Sequence, residues 1–338
     1  MAQMKSLIAA VIAAAGFAAG ALAGGVAGAG ATFSYPVYAK WADAYRRTGG
    51  GVFNYQSIGS GGGIAQMNAG TVAFGASDMP LSSDELNRRG LVQFPTVVGG
   101  VVPVVNLPGV APGRLVLNGE VLAAIYRGRI ARWNDPAIRK LNPSLKLPNE
   151  AVAPVYRADG SGSTFIFTAY LSRHDRAWGK EIGVRPTVAW PEGIGAKGNE
   201  GVAGIVMQTS GSIGYVEYAY VKQNRLAFAR LVGRDGRAVV PGLAGFRAAM
   251  AGADWDGAAG KGFAVNLIDR PGAGAWPLTS PTYILMRKHP RDRAETAAAL
   301  AFFRWAFARG GGIAESLDYV PLPPEATGPI LKTFKEIQ

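Results

Sequence analysis

Strand-like and helical segments alternate along this chain, and that alternation restricts its fold more than any other feature. The strand-like segments are rich in Val, Ile and aromatic residues. They read VFNYQSIG, TVAFGASD, VVGGVVPVVNL, AVAPVYRADG, SIGYVEYAYV and SPTYILMR. Segments with helical spacing of apolar residues lie between them, from PVYAKWADAYRR to DRAETAAALAFFRWAFARGG. Alternating strands and helices predict α/β layers with a mostly parallel sheet.

The length and the apolar content allow a large core. The chain has 338 residues, of which 49% are hydrophobic, and this length allows two domains. No flexible linker divides the sequence, so we expect a domain boundary that runs through strands. The longest internal apolar run, VVGGVVPVVNLPGV after Thr96, contains Gly and Pro and is shorter than a bilayer span. It therefore predicts a buried strand.

The first residues have the composition of an export signal. A basic MAQMK precedes the apolar SLIAAVIAAAGFAAG, and ALA at Ala21–Ala23 is a small-x-small cleavage signal. We predict a signal peptide over residues 1–23; a buried N-terminal helix is the alternative and fits the charged flank less well. Because the chain has no Cys, it has neither disulfides nor a lipid-modified cysteine. We expect a periplasmic protein without a lipid anchor.

The chain carries a formal net charge of +12. A basic balance of this size is found in proteins that bind nucleic acid, anionic lipid or small anions. The Lys and Arg residues are scattered, and there is no arginine-rich arm or RNA-binding signature. We expect no nucleic-acid partner, and we interpret the charge as a solvated basic surface that also helps to attract anions.

Few residues are available for catalysis. The two histidines, His174 and His289, lie in polar stretches and are predicted to be surface residues. With no Cys there is no thiol nucleophile, and a zinc site would have too few ligands. The string GIGAKG at Gly193–Gly198 matches a dinucleotide-binding pattern, but no strand precedes it, so a surface loop is predicted. We expect no enzyme, no cofactor and no metal; the alternative is a secreted phosphatase or esterase with Ser161 as its nucleophile.

Four glycine-rich loops share one chemical character. They are GAGATF, GSGGG, GASD and DGSGST, at residues 28–33, 59–63, 75–78 and 159–164. Glycine lets backbone N–H groups approach a ligand, helix starts add aligned donors, and Ser and Thr add hydroxyls. Each residue also has a structural alternative. Four of them are candidate helix caps: Thr32, Ser60, Ser161 and Ser163. Asp78 is a candidate cap of the next turn, and Arg157 could form a structural ion pair with Asp159. Together the loops predict a donor-rich anion pocket.

Eight stretches of this sequence resemble the periplasmic phosphate-binding proteins of high-affinity phosphate ABC importers. They are GAGATFSYPVYAKWADAY, NYQSIGSGGGIAQ, VAFGASDMPL, QFPTVVGGVVPVVN, LNGEVLAAIYRGRIARWNDPAI, RADGSGST, GSIGYVEYAY and AWPLTSPTYIL. The resemblance implies an α/β, type II periplasmic binding protein with two lobes, joined by two crossover strands, and the ligand in the cleft. Lobe I would comprise residues 24–105 and 278–338, and lobe II residues 106–277.

The resemblance also implies which residues hold phosphate. They are Thr32, Phe33 through its backbone N–H, Ser60, Asp78, Arg157, Ser161, Gly162 and Ser163. Ser163 departs from the family, which usually has Thr there, but the hydroxyl is kept; no ligand role is assigned to Gly61, where a second serine is common. The closed protein would dock on the inner-membrane permease subunits, which work with an ATPase, and we expect a monomer.

Two of these residues also have a role that follows from chemistry. Asp78 is an acceptor that only a protonated oxyanion can satisfy, which would favour phosphate over sulfate. Arg157 supplies a planar, permanently charged fork, and Asp159 would orient it. Sulfate, molybdate or another oxyanion is the alternative ligand.

Overall fold

The computed structural model describes residues 25–338, so the predicted signal peptide lies outside the described residues. The strands are β1 (Val26–Gly30), β2 (Phe53–Ser57), β3 (Phe74–Ser77), β4 (Leu91–Val105), β5 (Val116–Leu117), β6 (Ala153–Arg157), β7 (Ile194–Ala196), β8 (Ser212–Glu217), β9 (Ala227–Phe228), β10 (Arg230–Val232), β11 (Ala238–Val239), β12 (Thr279–Arg287) and β13 (Val320–Pro321). The helices are α1 (Tyr35–Arg47), α2 (Ser60–Ala69), α3 (Ser83–Arg89), α4 (Gly119–Tyr126), α5 (Pro136–Leu141), α6 (Gly162–His174), α7 (Arg176–Glu181), α8 (Gly198–Gln208), α9 (Tyr218–Asn224), α10 (Leu243–Met250), α11 (Trp255–Ala259), α12 (Arg293–Arg309), α13 (Gly311–Ser316) and α14 (Pro324–Thr333).

One large mixed sheet organises the molecule, in the order β2-β1-β3-β12-β4-β8-β6-β7. At its two ends the neighbouring strands are parallel: β1 with β2 and β3, and β6 with β7 and β8. The pairs in the middle, β3–β12, β12–β4 and β4–β8, are antiparallel. The predicted α/β class is confirmed. The prediction of a mostly parallel sheet is wrong, because the strands are parallel only at the two ends of the sheet.

Strand β4 joins the two halves of the sheet. Residues 91–100 of this strand pair with β12, and residues 101–105 pair with β8. All fifteen of its residues are buried, which confirms the buried strand predicted after Thr96. Gly99 and Gly100 lie where it passes from one half to the other, and a Cβ at Gly100 would lie 2.1 Å from the ring of Phe246. The apolar run therefore forms the strand that the halves share.

The segment from α10 to the start of β12 contacts both halves of the molecule. Gln93 of β4 donates to the carbonyl of Gly262 at 2.7 Å, and Arg247 forms an ion pair with Glu315. Arg173 of α6 donates to the carbonyl of Ile268. The segment is therefore tied to both predicted lobes, and the predicted lobe boundaries remain a prediction.

Two glycine-rich stretches form regular elements rather than loops. The GAGATF stretch begins inside strand β1, where a Cβ at Gly28 would lie 1.8 Å from the ring of Phe74. The GSGGG stretch begins helix α2, and a Cβ at Gly63 would lie 2.7 Å from the carbonyl oxygen of Ala29. Glycine is unfavourable in helices by about 1 kcal/mol, so close packing overrides propensity here.

The prediction of a surface loop at Gly193–Gly198 is wrong. Ile194–Ala196 is the edge strand β7, parallel to β6, and Gly198 begins helix α8. Gly198 has φ = +73°, a conformation that favours glycine. Within residues 25–338, no helix is both long enough and apolar enough to span a membrane.

Candidate anion-binding site

The predicted ligand residues lie just beyond the carboxyl ends of strands β1, β2, β3 and β6. Thr32 and Phe33 follow β1, Ser60 begins α2 after β2, and Asp78 follows β3. Ser161, Gly162 and Ser163 begin helix α6 after β6, whose last residue is Arg157. All eight residues are buried, Asp78 with 1% of its surface exposed. The carboxyl ends of parallel strands are the usual ligand-binding edge of α/β sheets.

Ser60, Asp78 and Gly162 contact one another directly across the cleft. The Ser60 hydroxyl accepts hydrogen bonds from the N–H of Asp78 at 3.2 Å and from that of Gly162 at 3.1 Å. It donates to Asp78 Oδ2 at 3.4 Å. A second contact joins the same segments, because Gly61 N–H donates to the carbonyl of Gly160 at 2.9 Å. The two groups of predicted ligand residues, within 32–78 and within 157–163, are therefore in direct contact.

Asp78 is a buried acceptor. Its Oδ1 accepts a 2.7 Å hydrogen bond from the Thr282 hydroxyl of β12. Burial raises the pKa of Asp78 to about 7, against the opposing effects of the Thr282 hydrogen bond and the charge of Arg157. Near neutral pH this carboxyl therefore exists in both protonation states. Helix α3 is capped by Ser82, so the alternative of Asp78 as a cap is wrong.

Arg157 and Asp159 form a bidentate ion pair. Arg157 Nε and Nη2 donate to the two carboxylate oxygens at 2.7 and 2.5 Å. Asp159 also accepts from Gly198 N–H at 3.1 Å. Burial alone would raise the pKa of Asp159, but the bond and charge of Arg157 and the Gly198 N–H lower it overall. Within residues 25–338, Nη1 of Arg157 has no hydrogen-bond acceptor.

Thr32 and Phe33 are held by residues of the predicted lobe II and of the C-terminal part of the predicted lobe I. The Thr32 hydroxyl accepts from the side-chain and backbone N–H groups of Asn199, at 2.6 and 3.2 Å, so its own hydrogen remains available. Tyr220 donates to the Thr32 carbonyl at 2.7 Å, and the Tyr319 hydroxyl contacts the Phe33 carbonyl at 2.6 Å. The Phe33 N–H makes no hydrogen bond within the described chain.

The serines of the DGSGST stretch have different surroundings. Ser161 is the N-cap of α6, and its hydroxyl accepts from Thr164 N–H at 3.1 Å. The cap alternative is therefore right for Ser161, although its hydroxyl hydrogen stays free. Ser163 is fully buried, and its hydroxyl has no hydrogen-bond partner in the described part of the chain. A buried hydroxyl without a partner is unusual and indicates a missing one.

The residues that hold the site in place carry no local sequence signal. These residues each lie more than 150 positions from the predicted ligand residue to which they hydrogen-bond. They are Thr282, Asn199, Tyr220 and Tyr319. Each is a common residue type in a strand, a helix or a loop. Only knowledge of which strands are neighbours, or of residues that vary together, would have indicated them.

Among residues 25–338, no imidazole or carboxylate accepts a hydrogen bond from the Ser161 hydroxyl. His174 lies at the other end of α6, about 20 Å away at the helical rise. With 28% of its side chain exposed it is half-buried, so the prediction of a surface residue is wrong; its Nε2 lies 3.4 Å from Asp269. Within residues 25–338 no three His, Cys, Asp or Glu side chains are placed to hold a metal ion.

Comparisons with known proteins agree with this geometry. A sequence model of the PBP superfamily domain matches residues 15–309. Relatives named phosphate-binding protein PstS include one from Haemophilus influenzae, 50% identical over 91% of both chains. Another, from Methanocaldococcus jannaschii, is 33% identical over 83% of this chain and 78% of its own.

Solved structures show the same fold. A periplasmic phosphate-binding protein crystallised with phosphate superposes with a TM-score of 0.73 at 20% identity, over 92% of this chain and 93% of its own. A phosphate-binding protein from Stenotrophomonas maltophilia gives 0.69 at 20% identity, over 92% and 94%. The curated relatives and the superfamily match together place this chain in the PstS family of phosphate-binding proteins, within the PBP superfamily.

Proposed function

We propose that this chain binds inorganic phosphate in the periplasm and delivers it to the permease of a phosphate ABC transporter. One observation carries the proposal. A closed, buried cleft holds several donor hydrogens that have no acceptor in the described chain, together with one buried carboxyl acceptor. Phosphate that keeps a proton matches such a cleft, because it has many acceptor sites and one donor.

The available donors come from both proposed lobes. They are the hydroxyl hydrogens of Thr32, Ser161 and Ser163, the N–H of Phe33 and Nη1 of Arg157. Most of these groups are neutral, so affinity would come from several short hydrogen bonds in a site without water. Ser60 and Gly162 complete the proposed set of residues that line the site, although their hydrogens are already donated to Asp78 and to Ser60. Asp159 directs the Arg157 guanidinium without a ligand contact.

Asp78 is proposed to select phosphate over sulfate. A protonated phosphate oxygen donates to its carboxylate, whereas sulfate would face a buried, unsatisfied acceptor. Since burial raises the pKa of this carboxyl to about 7, its own protonation would relieve part of that penalty at acidic pH. We therefore expect discrimination against sulfate to improve as the pH rises through neutrality.

Binding is proposed to close two lobes, comprising residues 24–105 with 278–338 and residues 106–277. Support comes from the hydrogen bonds Gly61–Gly160 and Ser60–Gly162, which join the proposed lobes at the cleft. Shared strands in the middle of the sheet would act as the hinge. Small-angle X-ray scattering should show a smaller radius of gyration when phosphate is added.

The remaining proposals follow from family membership and from the predicted export signal. We propose a monomer that works in the periplasm and docks on inner-membrane permease subunits coupled to an ATPase. We propose no catalysis and no cofactor, since no imidazole or carboxylate in the described part of the chain accepts a hydrogen bond from Ser161. An assay with a chromogenic phosphate ester tests this: turnover that Ser161→Ala abolishes would contradict a pure binding role.

Competition calorimetry is the decisive experiment. Phosphate is titrated into the protein in the absence and presence of excess sulfate or molybdate. We expect tight phosphate binding that sulfate barely reduces, and a smaller difference between the two anions in Asp78→Asn. Equal affinity for sulfate and phosphate in the wild type would overturn the assignment of phosphate as the ligand.

A further inference from the structure

Glu217 is a fully buried carboxyl group beside the Thr32–Phe33 segment. It ends strand β8, and its Oε2 lies 2.7 Å from the Tyr319 hydroxyl and 2.8 Å from the N–H of Ala219. Its own N–H donates to Asn199 Oδ1 at 2.9 Å, and the Asn199 side chain donates to Thr32. Glu217 thus connects the proposed lobe II to a segment of lobe I that holds two of the proposed ligand donors.

The number of hydrogens available indicates the protonation state of this carboxyl. The Tyr319 oxygen lies 2.6 Å from the Phe33 carbonyl oxygen and 2.7 Å from Glu217 Oε2, but it has a single hydrogen. If Glu217 were ionised, one of these short oxygen–oxygen contacts would have no proton. If Oε2 carries a proton, Glu217 donates to Tyr319, Tyr319 donates to Phe33, and both contacts are hydrogen bonds.

The surroundings of Glu217 disfavour a negative charge. Within residues 25–338, no Lys, Arg or His nitrogen lies within 4 Å of its carboxyl, and Oε1 is buried without a hydrogen-bond partner. Burial raises the pKa of Glu217 well above its usual value, against the opposing effects of the hydrogen bonds with Tyr319 and with the backbone of Ala219 and Tyr218, and the charge of Asp78 adds to the rise. The titratable and charged groups around it, directly or through the neighbouring tyrosines, are Asp78, Glu200, Arg157, Tyr218, Tyr220, Tyr319 and the ion pair Lys222–Asp318.

We propose that Glu217 is a positioning residue that acts as a neutral acid, and that its proton fastens the closed cleft by completing the chain Glu217–Tyr319–Phe33. This inference rests on the proposed function and deepens it. Ionisation of Glu217 would break the chain, release the Phe33 carbonyl and weaken phosphate binding. Under this proposal, separation of the lobes exposes the carboxyl to water, so that closure takes up a proton at high pH.

Infrared spectroscopy gives a direct test of the protonation state. At about pH 8 to 9, above the pKa of Asp78, the wild type should show the carbonyl stretch of a protonated carboxylic acid. The band should disappear in Glu217→Gln and remain in Asp78→Asn. It should also remain in Glu200→Gln, a control that removes an exposed carboxylate near Tyr220. Absence of the band from the wild type, or its survival in Glu217→Gln, would overturn the proposal.

Calorimetric phosphate titrations test the effect on binding. Between about pH 8 and 10, wild-type affinity should fall more steeply than that of Glu217→Gln. At the lower pH, Glu217→Gln should bind about tenfold more weakly, since one amide nitrogen cannot both donate to Tyr319 and accept from Ala219. Equal slopes in the two proteins would refute a role for the proton.

Tyr319→Phe provides an independent variant where Glu217→Gln does not fold. It should also bind more weakly, and the wild-type infrared band should shift because its hydrogen bond is lost. Tyr283→Phe is the matched control and should leave affinity unchanged. It removes a buried tyrosine hydroxyl whose hydrogen bonds, among the described residues, are with the backbone of Val265 at 3.3 Å. An unshifted band in Tyr319→Phe would contradict the proposed hydrogen bond from Glu217 to Tyr319. Failure of wild-type phosphate binding would instead refute the proposed function, and the band tests the acid separately.

Discussion

Replacing Gly162 by alanine should prevent closure of the cleft without harming the fold. In the closed structure, a Cβ at Gly162 would lie 2.5 Å from Cβ of Asp78 and 2.7 Å from the Ser60 hydroxyl oxygen. Both contacts lie across the cleft, in the other proposed lobe. Gly162 is the first residue of helix α6 and does not have a positive φ, so alanine suits its backbone.

The size of the effect follows from these contacts. An added methyl group in a tightly packed site costs about 1–3 kcal/mol, and loss of the Gly162–Ser60 hydrogen bond about 0.5–1.5 kcal/mol more. Since about 1.4 kcal/mol corresponds to a tenfold change, phosphate affinity should fall roughly 10- to 1,000-fold. Alanine in place of glycine favours the helix by up to about 1 kcal/mol, so the open protein should not be destabilised.

Calorimetry and thermal unfolding together test this reasoning. Gly162→Ala should bind phosphate weakly and show no compaction by small-angle scattering, while its thermal midpoint without phosphate equals or exceeds that of the wild type. Gly204→Ala is the matched control, because Gly204 lies in helix α8 and a Cβ there has no neighbour within 4 Å. Affinity of Gly162→Ala within about twofold of the wild type would refute the closed arrangement as the phosphate-bound one.

Three further changes test other parts of the structure. Arg157→Ala should weaken phosphate binding about 100-fold or more by calorimetry, since it removes a proposed ligand contact and leaves the half-buried Asp159 carboxylate without its ion-pair partner; unchanged affinity would remove Arg157 from the site. The thermal midpoint of the protein in its closed form should fall as the pH rises from about 4 to about 7, because burial in the closed cleft raises the pKa of Asp78 above that in the unfolded chain; a smaller pH dependence in Asp78→Asn checks this. Gly63→Ala should lower the thermal midpoint by several degrees, because its Cβ would meet backbone atoms of Ala29 and Ala76 that cannot move aside; a rise would show that helix propensity dominates.

Local patterns were sufficient to predict the class of fold and the long strand β4. That strand is buried along its whole length, so its apolar run is continuous and easily seen. The mixed sheet was not predictable, because strand direction depends on how β12 returns between β3 and β4 from far along the chain. Strand β1 and helix α2 were missed since their glycines are selected by close packing and not by propensity.

The candidate site was likewise predictable only in part. The glycine-rich stretches predicted backbone donors for an anion. The structure brings Ser60, Asp78 and Gly162 from three of them into contact. The groups that orient them, such as Thr282 and Asn199, were not predictable because they belong to segments more than 150 positions away. Their role depends on which strands and helices are neighbours in space, which no local sequence window contains.

The contacts at Ser60 link ligand choice to closure. Its hydroxyl touches Asp78 on one side and the Gly162 N–H of the opposite segment on the other, so the acceptor proposed to select the anion is part of the closing surface. An anion without a proton would leave the Asp78 carboxylate facing negative charge at the point where the lobes meet. Repulsion would then oppose closure as well as binding, since both depend on the same atoms. Under the proposed function, a wrong anion that enters the open cleft would fail to produce the closed form that a permease could recognise.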